Sequence, residues 1–188
     1  MKVAVIGAGT MGHGIAQVSA MAGYDVWMYD LSPDILNSAM NRIRDSLNRF
    51  YSKGIVKDVD QVISRIRSTA SLEEALTGSE LMVEASPEIL EVKVDIFKKA
   101  ERLTEKGSVL ATNTSSLPIT EIASTINEKG RVIGLHFFNP PQLMKLVEVI
   151  KSVYTTDEIL NRSLDFVSSL SKKPVVVRKD VPGFVVNR

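Results

Sequence analysis

Apolar positions along the chain alternate between short unbroken runs and longer stretches spaced by threes and fours. Residues 2–6 read as a buried strand, and 10–22 as a helix with Met11, Ile15, Val18 and Met21 on one stripe. Gly23 stops that helix, and 26–29 is a second strand ending at Asp30. Ser32 then caps a long helix with Pro33 at its first position, and its stripe runs Ile35, Leu36, Ala39, Met40, Ile43, Leu47 and Phe50. Gly54 interrupts the stripe, and a second amphipathic helix is expected over 58–66. Further strands fall at 81–83, 108–111, 132–135, 145–150 and 174–177, with helices at 89–104, 118–126 and 156–170. This alternation predicts an α/β domain with a mostly parallel sheet covered on both faces.

Composition narrows the function classes. The 23 basic and 22 acidic residues leave a net charge of +1, so no basic excess points to nucleic acid or an acidic membrane. Cysteine is absent, which removes disulfides, zinc thiolate sites and thiol nucleophiles, and no metal is expected. The apolar run at 3–6 is too short for a signal peptide, and no stretch reaches the roughly 20 residues needed to span a bilayer. A soluble, cytoplasmic protein is the expectation.

Gly7-Ala8-Gly9-Thr10-Met11-Gly12 matches G-x-G-x-x-G, leaves an apolar strand and opens a helix. Gly7 permits the tight turn, Gly9 lets a pyrophosphate approach the backbone, and Gly12 allows close helix packing. The first turn of the helix offers unpaired N–H groups and partial positive charge to phosphate. Asp30 ends the next strand, where its carboxylate can accept from both adenosine ribose hydroxyls and would repel a 2′-phosphate, so NAD is expected over NADP. The plain alternative is a tight strand-to-helix turn that binds nothing.

Two later strings add candidate chemistry. Residues 111–117 (ATNTSSL) follow a strand, and a run of small polar groups there suits either a ligand or an ordinary capped turn. His136 closes another strand, and Glu148 lies on the strand that follows after a turn. A carboxylate facing an imidazole fixes its tautomer and makes it a better proton acceptor. His13 belongs instead to the cofactor cleft or the surface of the first helix. Glu84, Ser86, Glu88 and Lys93 follow the strand at 81–83, and an isolated lysine there would by default sit on a solvated helix face.

Taken together, the strings VAVIGAGTMGHGIA, VEASPEILEVK, ATNTSSLPIT, GLHFFNPPQLMKLVEVI and DVPGFVVNR resemble the NAD-binding domain of L-3-hydroxyacyl-CoA dehydrogenases, in order and approximate spacing. The resemblance implies a Rossmann-type doubly wound domain and roles for individual residues. His136 would be the acid–base group, Glu148 its electrostatic partner, and Ser115 and Asn187 the groups holding the substrate oxygen. Gly7, Gly9, Thr10, Met11, Gly12, Asp30, Glu88, Lys93 and Asn113 would hold NAD. Lys53, beside the helical excursion at 35–66, would meet a phosphate of the coenzyme A tail.

The same resemblance sets the expected domain limits. Residues 1–182 would form the NAD-binding domain, and 183–188 would begin a C-terminal helical domain that this chain lacks. Expected partners are an acyl-CoA and either a separate helical domain or a second copy. The competing expectations are a related NAD-linked hydroxy-acid dehydrogenase and a non-catalytic NAD-binding module.

Overall fold

The computed structural model describes residues 1–180; residues 181–188, with Asn187 and the expected start of a helical domain, lie outside the described residues. Among the described residues there are eight strands: β1 (Lys2–Ile6), β2 (Asp25–Tyr29), β3 (Ile66–Thr69), β4 (Leu81–Glu84), β5 (Val109–Thr112), β6 (Val132–Phe137), β7 (Leu146–Lys151) and β8 (Lys173–Val177). The helices are α1 (Gly12–Met21), α2 (Pro33–Ser52), α3 (Val59–Ile63), α4 (Leu72–Leu76), α5 (Leu90–Leu103), α6 (Ile119–Ser124) and α7 (Asp157–Ser169), with a 3-10 turn at Lys129–Arg131.

Local chemistry explains the helix starts. Ser32 accepts from the Ile35 amide, Asp58 from Gln61, Ser71 from Glu74 and Thr156 from Ile159, each satisfying a first-turn donor. The expected helix over 58–66 divides in two: α3 ends at Ile63, and Ile66–Thr69 forms edge strand β3 against β2. The sequence pattern does not predict the short helix α4.

The strands form one sheet in the order β3-β2-β1-β4-β5-β6-β7-β8. Neighbours are parallel except β6 and β7, which run antiparallel. Alternate residues of β1 feed two cores. Val3 and Val5 pack on the α1, α2 and α7 side, while Ala4 and Ile6 pack on the α4, α5 and α6 side. The chain therefore leaves β1 toward one face and β4 toward the other. These two strands are neighbours, so a crevice opens at their carboxyl ends, where open α/β sheets bind ligands. Among the described residues, no helix is long and apolar enough to cross a membrane.

Candidate active site

A cavity of about 1040 Å³ fills that crevice. Gly7, Gly9, Thr10, Met11 and Asp30 line one end, and Glu88, Asn113, Ser115 and His136 line the other. Gly7 has φ +101°, and a Cβ there would lie 2.5 Å from the Ala85 carbonyl oxygen, so only glycine fits. A Cβ on Gly12 would run into the Gly7 carbonyl, which ties α1 tightly to the loop. Above Gly9 a Cβ would meet no protein atom within 4 Å, so that backbone is open to the cavity. A bare loop, an open backbone and the first turn of α1 together fit a dinucleotide pyrophosphate.

Asp30 has a structural task as well. Its Oδ2 accepts from the Ala8 amide at 2.9 Å and its Oδ1 from the Ser32 amide at 3.2 Å. The carboxylate thus pins the glycine loop, and its remaining lone pairs can accept from ribose hydroxyls. His13 does not line the cavity; its Nδ1 lies 2.7 Å from the Gly9 carbonyl oxygen at the start of its own helix.

At the far end, the β6–β7 register places His136 directly opposite Glu148. His136 Nδ1 is 2.7 Å from Glu148 Oε2, and the glutamate is fully buried. With Nδ1 donating to the carboxylate, the basic lone pair of the ring belongs to Nε2. The Phe138 ring packs against the imidazole, with centroids 4.6 Å apart. Nearby, Asn113 Oδ1 accepts from the Phe137 amide at 2.9 Å, joining the ends of β5 and β6.

Ser115 is exposed on the turn after β5. That turn is tied to Glu88, whose Oε1 accepts from the Ser115 amide at 3.1 Å, the Ser116 amide at 3.2 Å, the Ser116 hydroxyl at 2.9 Å and the Thr114 hydroxyl. Burial pushes the Glu88 carboxyl up. The Thr114 hydrogen bond, the Lys93 charge and the Ser116 and Ser115 bonds outweigh that and hold it below the usual range. It is therefore ionised through the neutral range.

Lys93 is not on a solvated face. It is 1% exposed, with Nζ 2.8 Å from Glu84 Oε1 and 3.3 Å from Glu88 Oε2. Glu84 is fully buried and also accepts from the hydroxyls of Thr112 and Ser86. One sequence signal for this burial exists: Lys93 falls on the stripe Leu90, Ile96, Phe97 and Ala100, where a lysine needs a buried partner. Sequence reasoning gives no role to Thr114, Ser116 or Thr112, because their carboxylate partners lie 26–28 residues away. Lys53 is exposed at the end of α2 and does not line the cavity.

Residues 2–181 match the family model described as 3-hydroxyacyl-CoA dehydrogenase, NAD binding domain. The chain is 40% identical to the 3-hydroxybutyryl-CoA dehydrogenase of Clostridioides difficile, covering all of this chain and 67% of that protein. It is also 40% identical to the mitochondrial hydroxyacyl-coenzyme A dehydrogenase of Sus scrofa, covering 99% and 61%. The crystal structure of 3-hydroxybutyryl-CoA dehydrogenase from Escherichia coli superimposes with a TM-score of 0.95 at 39% identity, covering all of this chain and 40% of that one. The chain thus spans about two thirds, or less, of the length of these relatives.

Proposed function

The chain belongs to the family of 3-hydroxyacyl-CoA dehydrogenase NAD-binding domains, and on that premise we propose that it oxidises (S)-3-hydroxyacyl-CoA to 3-ketoacyl-CoA, reversibly. The observation that carries the reading is His136, backed by buried Glu148 at 2.7 Å, on the wall of the cavity that the glycine loop also lines.

Gly7, Gly9, Thr10, Met11 and Gly12 would hold the pyrophosphate of NAD, Asp30 the adenosine ribose, and Glu88 and Asn113 the nicotinamide half. Lys93 contributes from behind, through Glu88. When bound, NAD supplies the carbon that accepts a hydride. His136 Nε2 takes the proton from the C3 hydroxyl as the C3 hydrogen departs with its electron pair, and Glu148 stabilises the imidazolium so formed. In reverse, the imidazolium protonates the developing alkoxide. Ser115 holds the oxygen; Asn187, outside the described residues, is proposed to complete that grip. Lys53 is proposed to meet the coenzyme A tail. A separate helical domain or a second copy is proposed as the partner, and the cytoplasm as the compartment.

The test is NADH oxidation by this chain with acetoacetyl-CoA. Ketone-dependent consumption of NADH, with 3-hydroxybutyryl-CoA as product, is the expected result. NADH binding without turnover would favour a cofactor-binding module that acts only with a helical partner.

Cofactor choice is tested separately. NADPH should bind at least about tenfold more weakly than NADH, because a 2′-phosphate would face the Asp30 carboxylate. Asp30→Ala should narrow that gap, and weaken NADH as well by releasing the Ala8 amide. Equal dissociation constants in the unaltered chain would rule out the preference.

A further inference from the structure

Deepening that functional reading, we infer that Glu88 is a positioning residue: it sets the hydroxyl of Ser115 by anchoring the 114–116 turn. Two backbone amides and two hydroxyls of this turn converge on the single oxygen Glu88 Oε1. The other oxygen faces Lys93, which is held in turn by buried Glu84. The turn leaves the end of β5, whose last residue, Thr112, donates to the same Glu84. Ser115 is thus fixed by an ionic column reaching down to the ends of β4 and β5.

Ser115 and Ser116 are themselves exposed and lie in no helix or strand. Loops of this kind open locally at low cost unless something binds their amides. Glu88 supplies that binding at both serine amides, with the Thr114 hydroxyl a second acceptor for Ser116 at 3.3 Å, and its charge makes each of its bonds stronger than one to a neutral acceptor. A residue contacting only the cofactor would have no need of these bonds, which exist in the protein alone. Glu88→Gln keeps a carbonyl acceptor but loses the charge; Glu88→Ala loses both.

The experiment has two arms on the full chain. The first follows amide hydrogen exchange at Ser115 and Ser116 without cofactor. Exchange should quicken by about tenfold or more in Glu88→Ala, with Glu88→Gln intermediate and the amides of β1 unchanged. Wild-type exchange at both serines in Glu88→Ala would overturn the proposal. Should the alanine variant fail to fold, wild-type exchange in Glu88→Gln would overturn it equally.

The second arm measures turnover with acetoacetyl-CoA at saturating NADH in a double-mutant cycle. If Glu88 acts through Ser115, Glu88→Gln lowers turnover in the wild-type background and adds little on top of Ser115→Ala. Losses that multiply would show that Glu88 acts independently of the serine and would overturn the proposal. Absence of turnover in the unaltered chain would defeat the functional reading instead, and the exchange arm would still decide whether Glu88 anchors the turn.

Discussion

His136→Ala should lower turnover of acetoacetyl-CoA by ~10²–10⁴-fold while leaving NADH affinity near wild type. The separation follows from position. The proposed pyrophosphate and adenosine-ribose contacts lie around Gly7–Gly12 and Asp30, whereas His136 shares the other end of the cavity only with the proposed nicotinamide contacts, Glu88 and Asn113. Removing the imidazole also leaves Glu148 a fully buried carboxylate without its Nδ1 donor, so some loss of stability is expected. His136→Asn separates the two effects. Its side-chain amide can still donate toward Glu148, but it cannot take a proton near neutral pH. Turnover lost in both variants, with folding restored in the asparagine variant, identifies the ring as the proton carrier. Equal losses of turnover and NADH affinity would instead mark His136 as structural.

The largest stability effect belongs to Lys93. Lys93→Met should destabilise the fold by about 3–5 kcal/mol, because Glu84 would remain buried with no counter-charge. Domains of this size are stable by only about 5–15 kcal/mol, so the variant should unfold at a much lower denaturant concentration. Trp27, the single tryptophan, packs beneath the Lys2 ammonium and reports unfolding by fluorescence. Glu84→Gln made on top of Lys93→Met should recover part of the loss, since the unpaired charge is gone. A wild-type midpoint for Lys93→Met would contradict the buried pair.

The strongly periodic parts of the chain are legible in the sequence. Continuous apolar runs mark the strands, because a parallel sheet buries both faces, and β1 is buried on each side. The long stripe of α2 and its Ser32-Pro33 start are equally clear. Strand β3 is not legible, because Ile66-Arg67-Ser68-Thr69 lies at the sheet edge with its middle residues exposed and carries no apolar run. Helix α4 has five residues, too few to display a period.

The candidate site divides along the same line. The glycine loop, Asp30, Ser115 and His136 come together in one cavity as their motifs suggest. The column Thr112–Glu84–Lys93–Glu88 joins residues on β4, β5, α5 and the loop before α5, and local sequence spacing carries no trace of such a meeting. Lys93 is the exception, since its place on an apolar stripe is visible.

The ladder between β6 and β7 has a further consequence. Leu135 pairs with Val149 and Phe137 with Val147, so the His136–Glu148 contact is held by strand register rather than by the connection at 138–145. Phe138 opens that connection against the imidazole, but the connection's exposed tip at Leu143 and Met144 can change composition without moving the proton-handling pair. The geometry of the pair and the surface at this tip are therefore set by different stretches of chain.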